Sequence, residues 1–234
     1  MDLRDFDVLS FDCYGTLIDW DTGLSAQLKR IAPDMGEEDL LARYAPFEAE
    51  VEHENPTMLY RDVVARAAKQ LGDDLGRVIP DALAADICGS VGTWPPFPDS
   101  VEALSDLKQH CTLVVLSNVD IASFSGSAAQ LGDPFRAVLT AEEIGSYKPS
   151  RRNFEALMKY VATIGGTGKH LHVAQSLFHD HAPAKEIGLP TVWINRRSGS
   201  TGQGASGPAV DVTPDWEFPD MRSFAAALIE AKKA

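Results

Sequence analysis

The sequence is poor in basic residues: 21 lysines and arginines stand against 34 aspartates and glutamates, which leaves a formal net charge of −13. A negative field of this size disfavours nucleic acids and anionic membranes as partners. No apolar run approaches the roughly 18 residues that a membrane-spanning helix needs. The opening MDLRDFDVLSF also carries acids where a signal peptide has its basic and apolar regions. We therefore expect a cytoplasmic protein with neither nucleic-acid nor membrane partners.

Cysteine is also scarce. The three cysteines, Cys13, Cys88 and Cys111, are an odd number and lack C-x-x-C spacing. This pattern disfavours a disulfide framework and a structural zinc site, and it predicts reduced thiols. No internal repeat is visible, and 234 residues with 44% hydrophobic composition are typical of one large globular domain or a domain with an insertion.

Short apolar runs that stop abruptly at polar or glycine-rich sequence are typical of parallel strands buried on both faces. Four such runs occur, at 6–11, 112–116, 171–174 and 191–194. Amphipathic stretches of helical length, such as 100–109 and 152–161, lie between the later runs. This alternation predicts an α/β fold, with a Rossmann-like parallel sheet covered by helices on both faces.

The stretch from 24 to 92 breaks the alternation, because it contains amphipathic patterns such as 39–52 and 57–71 and no convincing strand. We interpret it as an all-helical cap inserted after the first strand, placed over the carboxyl ends of the strands where open α/β sheets bind ligands. The expected organisation is a core of residues 1–20 and 93–234 with a cap of residues 21–92.

Two segments near these boundaries have a distinct composition. The sequence WPPFP at 94–98 predicts a stiff return from the cap into the core, because proline fixes the backbone. The Gly/Ser-rich segment 198–208 predicts a mobile loop.

Four polar clusters follow predicted strands and would converge on one crevice of such a sheet. They are DCYGT at 12–16, Ser117-Asn118, Lys148-Pro149 and QSLFHD at 175–180. Each alone has an ordinary interpretation as a helix cap, a turn pair or a loop. Their common position at strand ends favours a functional site.

This order of clusters resembles the haloacid dehalogenase (HAD) superfamily, and the likeness covers nearly the whole chain. The resemblance implies that Asp12 is a nucleophile held by the hydroxyls of Thr16 and Ser117, with Lys148 as the neighbouring cation and Asp180 as the acid of the fourth motif. A desolvated carboxylate held in this way can displace a leaving group and form an ester.

Two positions differ from the pattern of the superfamily's phosphatases, and they help to distinguish the possible reactions. Magnesium phosphatases of the superfamily carry a second aspartate two residues after the nucleophile and two acids in the fourth motif, whereas this chain has Tyr14 and Gln175 at those positions. Magnesium requires hard anionic oxygen ligands, while a halide leaves without a proton or a metal. We therefore expect an enzyme without metal or cofactor, and a phosphatase remains the alternative within this fold.

The segment DCYGTLIDW resembles the opening motif of the 2-haloacid dehalogenases. This likeness implies that Ser117 and Asn118 hold the carboxylate of a small 2-haloacid, which is converted to a 2-hydroxy acid. It also implies that an arginine early in the cap polarises the halide, with Arg43 as the first candidate and Arg61 as the second. A solvated helix cation is the ordinary interpretation of either arginine.

The likeness is incomplete, since Phe154, Gln175 and Leu177 stand where the well-known L-2-haloacid dehalogenases carry tyrosine, serine and asparagine. The strings HVAQSLFHDHAPA and WINRRSGSTGQGA resemble a divergent type II subgroup and the related hydrolase of azetidine-2-carboxylate, which breaks a C–N bond. Hydrolysis of another small carboxylate, by such C–N cleavage or with fluoroacetate as substrate, is therefore the alternative. A non-catalytic binding protein is disfavoured by the complete nucleophile set, and similar enzymes are often homodimers.

The remaining candidate residues are expected to lie around the proposed nucleophile, Asp12. Tyr14 and Trp20 are expected to form apolar walls, and Gln175 and Ser176 to contact substrate. His179 is expected to line the pocket and to donate to a leaving halide or protonate a leaving amine, with a structural histidine as the ordinary interpretation. No metal is expected at the His-Asp-His triplet of 179–181, because adjacent residues rarely converge on one ion.

Other histidines and the cysteine next to the nucleophile are assigned no catalytic role. Surface or helix-end positions are expected for His53, His110, His170 and His172. Cys13 is expected to point away from Asp12, because side chains alternate along extended backbone.

Overall fold

The computed structural model describes residues 1–198 and 209–233. The predicted loop 198–208 therefore lies, except for Ser198, outside the described residues. Within the described ranges the strands are β1 (Val8–Phe11), β2 (Thr112–Ser117), β3 (Ala137–Thr140), β4 (His170–Ala174), β5 (Thr191–Ile194) and β6 (Trp216–Phe218). They form one parallel sheet of six strands in the order β3-β2-β1-β4-β5-β6.

Helices connect the strands. They are α1 (Trp20–Leu28), α2 (Glu37–Glu54), α3 (Tyr60–Asp74), α4 (Asp81–Gly89), α5 (Ser100–Leu107), α6 (Ile121–Gln130), α7 (Ala141–Ile144), α8 (Arg151–Thr163), α9 (Ala182–Glu186) and α10 (Met221–Lys233). The α/β architecture predicted from the alternating pattern is confirmed. Strand order reverses between β1 and its neighbours β2 and β4, so the carboxyl ends of these strands frame a crevice.

The four strands predicted from apolar runs are present, and β1 and β4 are buried along their whole length. The sequence patterns missed β3 and β6, which lie at the two edges of the sheet. An edge strand has a neighbour on one side only, so its burial pattern is weak, and three of the four residues of β3 are half-buried.

Four helices, α1 to α4, lie between β1 and β2, and α2 packs against α3. The helix α3 buries the apolar side chains that recur at helical spacing, namely Val63, Val64, Ala67, Ala68 and Leu71. No strand occurs in this stretch of the described chain, as predicted. The division into a core and a cap at residue 92 stays a prediction.

The two segments that join this helical layer to the sheet pair with each other. Asp19 N–H donates to the Pro95 carbonyl at 2.8 Å, and Phe97 N–H donates to the Leu17 carbonyl at 3.0 Å. A Cβ at Gly23 would lie 2.3 Å from the ring of Trp94, so only glycine fits at this crossing. The departing and returning segments therefore run side by side.

Two compositional expectations concern the cysteines and the membrane. Cys13, Cys88 and Cys111 are free thiols in the structure, as predicted. None of the helices in the described ranges combines the length and apolar character required to cross a bilayer.

Candidate active site

Three predicted residues meet at the carboxyl ends of the central strands. Asp12 follows β1, and Asp180 lies in a single π-helical turn after β4. The Lys148 ammonium donates to Asp12 Oδ1 at 2.8 Å and to Asp180 Oδ1 at 2.7 Å. It also donates to the carbonyl of Leu116 in β2 at 3.1 Å. All three ammonium protons are thus used, and one cation joins both carboxylates.

The second oxygen of the Asp12 carboxylate is held by a hydroxyl. Thr16 Oγ1 donates to Asp12 Oδ2 at 2.6 Å and accepts the backbone N–H of Gln175 at 2.9 Å. Gly15 has φ +90°, a conformation that L side chains rarely adopt, and this turn returns Thr16 toward the carboxylate. The orientation of Asp12 is therefore fixed from both sides.

Burial and charge act together on these groups. Burial raises the pKa of Asp12, an effect that Lys148 opposes and the Asp180 charge reinforces. Although burial disfavours its charge, the two carboxylates hold the pKa of Lys148 above its ordinary value. Against the effect of burial, Lys148 and His172 hold the pKa of Asp180 below its usual range. The result is a desolvated carboxylate beside a permanent cation, which suits nucleophilic attack.

A buried hydrogen-bonded chain extends from Asp180 into the sheet. A carboxylate only accepts, so His172 Nε2 donates to Asp180 Oδ1, at 3.0 Å. Ser10 Oγ then lies 2.8 Å from His172 Nδ1 and 2.7 Å from His170 Nε2. The expected surface positions of His170 and His172 are wrong, since they are 3% and 0% exposed. Their two-residue spacing on a buried strand beside Ser10 was the available signal.

A cavity of about 210 Å³ lies over Asp12, between the carboxyl ends of the strands and α2. The predicted substrate contacts Tyr14, Trp20, Asn118, Gln175 and Ser176 line it, together with Ser117 and His179. Ser117 Oγ and Asp180 Oδ2 are buried and lack a hydrogen-bond partner among the described residues. Unpaired buried polar atoms at a cavity wall favour a polar ligand there.

The side chain of Asn118 has a structural task. Its Nδ2 donates to the Lys148 carbonyl at 3.0 Å, and its Oδ1 accepts the Lys148 backbone N–H at 2.6 Å. The amide therefore fixes the backbone of Lys148. One N–H of this amide remains free of these two bonds and Asn118 lines the cavity, so its predicted role as a grip on the substrate carboxylate stays a prediction.

His179 is held at the cavity wall by its own turn. The Ser176 hydroxyl accepts the His179 backbone N–H at 3.0 Å and lies 3.1 Å from Nδ1. Burial lowers the pKa of His179 to about 4. At neutral pH this imidazole is therefore uncharged, so it is suited to accept a proton or donate a hydrogen bond rather than to act as an acid.

The second histidine of the triplet points elsewhere. His181 is buried, and its Nε2 donates to the Ala174 carbonyl at 3.0 Å. The two imidazoles that flank Asp180 thus have separate partners. Across residues 1–198 and 209–233, no group of three or more His, Cys, Asp or Glu side chains is arranged to hold a metal ion.

The predicted arginines do not reach the cavity. Arg43 pairs with Asp74 at 3.3 Å, and its side chain is 51% exposed. Arg61 is 43% exposed and directs its guanidinium toward Asp120 at 4.0 Å. Neither arginine therefore has the predicted position in the cavity. The helix face that carries Arg43 turns toward α3 and solvent.

Replacement of Arg43 by alanine should leave catalysis intact. We expect kcat/KM within about twofold of the wild-type value, because exposed ion pairs contribute roughly 0–1 kcal/mol to stability and this one lies away from the cavity. Steady-state kinetics and a thermal melt of Arg43→Ala test this. A tenfold fall in kcat with an unchanged melting temperature would show that Arg43 takes part in catalysis.

Two arginines that sequence reasoning did not select line the cavity from the loop after β5. Arg196 forms two hydrogen bonds with Asp99, at 2.7 and 2.9 Å, and donates to the Thr16 carbonyl. Arg197 pairs with Asp21. Arg196 therefore braces the turn that holds Thr16.

The wall supplied by α2 is acidic. Glu48 and Glu52, one helical turn apart, both line the cavity. Glu48 Oε1 accepts from Tyr60 Oη at 2.8 Å and from Tyr44 Oη at 3.2 Å. The indole of Trp20 donates to Tyr60 Oη at 3.0 Å, which orients that phenol. Sequence reasoning missed both glutamates.

Comparison with known proteins gives a consistent family. A family model described as haloacid dehalogenase-like hydrolase matches residues 6–167. The (S)-2-haloacid dehalogenase of Pseudomonas sp. (strain YL) is 26% identical over 249 residues, which covers 96% of this chain and 97% of the relative.

Solved structures share the fold. The L-2-haloacid dehalogenase of Xanthobacter autotrophicus, with chloropropionic acid covalently bound, superposes with a TM-score of 0.81 at 19% identity, covering 96% of this chain and 98% of that one. The HAD hydrolase YfnB of Bacillus subtilis, bound to magnesium, gives a TM-score of 0.75 at 17% identity and covers 96% of this chain and 99% of its own. At these identities the likeness concerns the fold.

Proposed function

Because the chain belongs to the haloacid dehalogenase-like hydrolase family, we propose that it hydrolyses a small C2-substituted carboxylic acid through an ester on Asp12. A 2-haloalkanoic acid is the first candidate substrate, and a 2-hydroxy acid is the product. The observation that carries this proposal is the buried Asp12 carboxylate, held by Lys148 at 2.8 Å and by Thr16 at 2.6 Å beneath a small cavity.

In the first step, an Asp12 oxygen attacks C2 of the substrate in line with the leaving group. The carbon–halogen bond breaks with its electron pair on the halide, an ester forms, and the configuration at carbon inverts. Thr16 and Lys148 leave the carboxylate little freedom to rotate, which lowers the entropic cost of this attack.

In the second step, water attacks the ester carbonyl of Asp12. In this proposal Asp180 and Lys148 orient the water and His179, which lines the cavity, accepts its proton. The carbonyl then re-forms and the bond to the alcohol oxygen breaks; that oxygen takes the proton back from His179, and the 2-hydroxy acid leaves. Gly15 N–H donates to the Ile18 carbonyl at 2.8 Å, so the N–H groups of Cys13 and Tyr14 are left to stabilise the oxyanion.

Phosphate chemistry has less support from these residues. Tyr14 stands where a phosphatase of this superfamily would carry its second aspartate, and its hydroxyl is hydrogen-bonded to Ser127 at 2.7 Å. Gln175 replaces one of the two acids of the fourth motif. The set of anionic oxygens that would suit magnesium is therefore reduced.

Halide release from racemic 2-chloropropionate in EDTA tests the proposal. We expect chloride and one equivalent of lactate, with one enantiomer of substrate left unreacted and no stimulation by added magnesium, because halide departure needs neither proton nor metal. Ion chromatography and chiral analysis give both readouts. Turnover that requires magnesium, or hydrolysis of p-nitrophenyl phosphate in preference to the chloroacid, would support the phosphatase alternative.

A further inference from the structure

Three polar side chains lie inside the sheet behind Asp180. Ser10 of β1 is paired in register with His172 of β4, and His170 lies two residues earlier on the same face of β4. All three residues are buried. The remaining residues of both strands are apolar. A sheet of this kind therefore has no need of polar side chains at these positions, where their burial costs free energy unless they are hydrogen-bonded.

The hydrogen bonds among these side chains run in one direction. His172 Nε2 donates to Asp180 Oδ1. If His172 also carried a proton on Nδ1, the Ser10 hydroxyl would donate to His170 Nε2. The remaining N–H of His170, at Nδ1, would then be buried without an acceptor among the described residues. Unpaired buried N–H groups are rarer than unpaired acceptors. The geometry therefore favours a chain in which His170 donates to Ser10, Ser10 to His172 and His172 to Asp180.

The two oxygens of Asp180 differ in their contacts. Oδ1 accepts from His172 at 3.0 Å and from Lys148 at 2.7 Å. Oδ2 is buried and has no partner among the described residues, and Asp180 lines the cavity over Asp12. Because Lys148 and His172 hold the pKa of Asp180 below its usual range, this carboxylate is a weak base. It is suited to accept a hydrogen bond from water without taking the proton.

We propose that His172 and Ser10 are positioning residues for the second step, in which they fix Asp180 so that its Oδ2 orients the attacking water. The inference rests on the proposed Asp12 ester. Lys148 alone would leave the Asp180 carboxylate free to rotate about one contact, and the second donor from the sheet removes that freedom.

The protons of the water then have separate acceptors. One O–H of the water donates to Asp180 Oδ2, and the proton of the other goes to His179. The water oxygen forms its bond to the ester carbonyl carbon, and the carbonyl electron pair moves onto the carbonyl oxygen. Ester formation does not use Asp180 Oδ2, because Thr16 and Lys148 hold the Asp12 carboxylate. The two positioning residues therefore act on ester hydrolysis and not on ester formation.

Single turnovers with enzyme in excess over 2-chloropropionate separate the two steps, because ester formation releases chloride and ester hydrolysis releases lactate. His172→Phe keeps an aromatic ring beside Phe154, whose ring centroid lies 5.6 Å from that of His172, but it removes the donor to Asp180. We expect lactate formation to slow roughly 100-fold, the scale of a lost hydrogen bond to a charged group, and chloride release to change by less than about threefold. The lactyl ester should then be detectable by mass spectrometry on the peptide that contains Asp12.

Two further variants identify the hydrogen bonds as the cause. His172→Gln places an amide N–H near the position of Nε2 and should return lactate formation to within about tenfold of the wild-type rate. Ser10→Ala removes the donor to Nδ1, so the tautomer and orientation of the imidazole are no longer set, and the same step should slow about tenfold. His110→Phe, the same substitution at an exposed imidazole, should change neither step.

The outcomes separate this inference from the Asp12 mechanism. Thermal melts identify any variant that fails to fold, and His172→Gln and Ser10→Ala decide the question if His172→Phe is one of them. Equal slowing of both steps, lactate formation at the wild-type rate in His172→Phe or Ser10→Ala, or no recovery in folded His172→Gln would overturn the positioning role and leave the ester standing. Absence of chloride release by the wild-type enzyme would instead overturn the proposed function, and this inference with it.

Discussion

Replacement of Asp12 by asparagine is expected to lower kcat by at least about ten-thousandfold, because the amide lacks the charge that the proposed nucleophile needs. Asparagine has nearly the same shape as aspartate, and Lys148 retains its contact with Asp180 at 2.7 Å. The variant should therefore fold and bind ligand. Product formation is followed with a high enzyme concentration, and Asp106→Asn, which changes an exposed carboxylate of α5, is the matched control.

A single turnover in ¹⁸O-labelled water gives an independent readout of the same step. Attack of water on the ester carbonyl places the labelled oxygen in the Asp12 carboxylate, whereas direct attack of water on the substrate carbon places it in the product. Mass spectrometry of the peptide that contains Asp12 distinguishes the two. Retention of a tenth of the activity in Asp12→Asn, or label found only in the product, would refute the covalent route.

Replacement of Lys148 by methionine has the largest expected effect on stability. It leaves Asp12 and Asp180, both buried, as like charges without their shared cation. Removal of one partner from a buried ion pair typically costs about 3–5 kcal/mol in the free energy of unfolding. We expect a loss of this size at pH 7 and no measurable turnover, since the orientation of Asp12 is lost as well.

The loss of stability in Lys148→Met should depend on pH. In Lys148→Met, burial and mutual repulsion raise the pKa of the two carboxyl groups above their unfolded values. A raised folded-state pKa of an acid adds stability when the group is protonated, and this contribution falls as pH rises. Urea unfolding at pH 5.5 and pH 7 should therefore show a smaller deficit at pH 5.5.

Two further variants control the lysine experiment. Lys159→Met removes an exposed ammonium of α8 and should change stability by less than about 0.5 kcal/mol. The double variant Lys148→Met with Asp12→Asn removes one of the two unpaired charges and should regain part of the loss. A deficit equal in the single and double variants would contradict the view that charge repulsion causes it.

The sequence predicted the parts of the fold that are set by local pattern. Buried strands are rich in apolar residues, so β1, β2, β4 and β5 were recognised from composition alone. The edge strand β6 has only three residues, and its central Glu217 is exposed. Its identity depends on pairing with β5, a contact between distant residues that short-range patterns do not encode.

The same distinction applies to the site. Asp12, Lys148 and Asp180 were predictable because strand ends meet at one edge of a parallel sheet, so chain position determines their proximity. Glu48 and Glu52 look like a solvated helix face in the sequence, and only the packing of α2 over the sheet makes them part of the cavity. Arg43 is next in sequence to buried Tyr44 but lies about 100° away around the helix, on another face.

The paired crossing at Leu17–Asp19 and Pro95–Phe97 restricts how the cavity can open. Two separate connections would permit the helical layer to slide or twist over the sheet. Two connecting segments that are hydrogen-bonded to each other act as a single hinge. Gly23 and Trp94 are in close contact beside it, which removes the free space that sideways displacement would need. We therefore expect the helical layer to swing about this crossing when a ligand enters or a product leaves, which would move the α2 wall, with Glu48 and Glu52, away from Asp12.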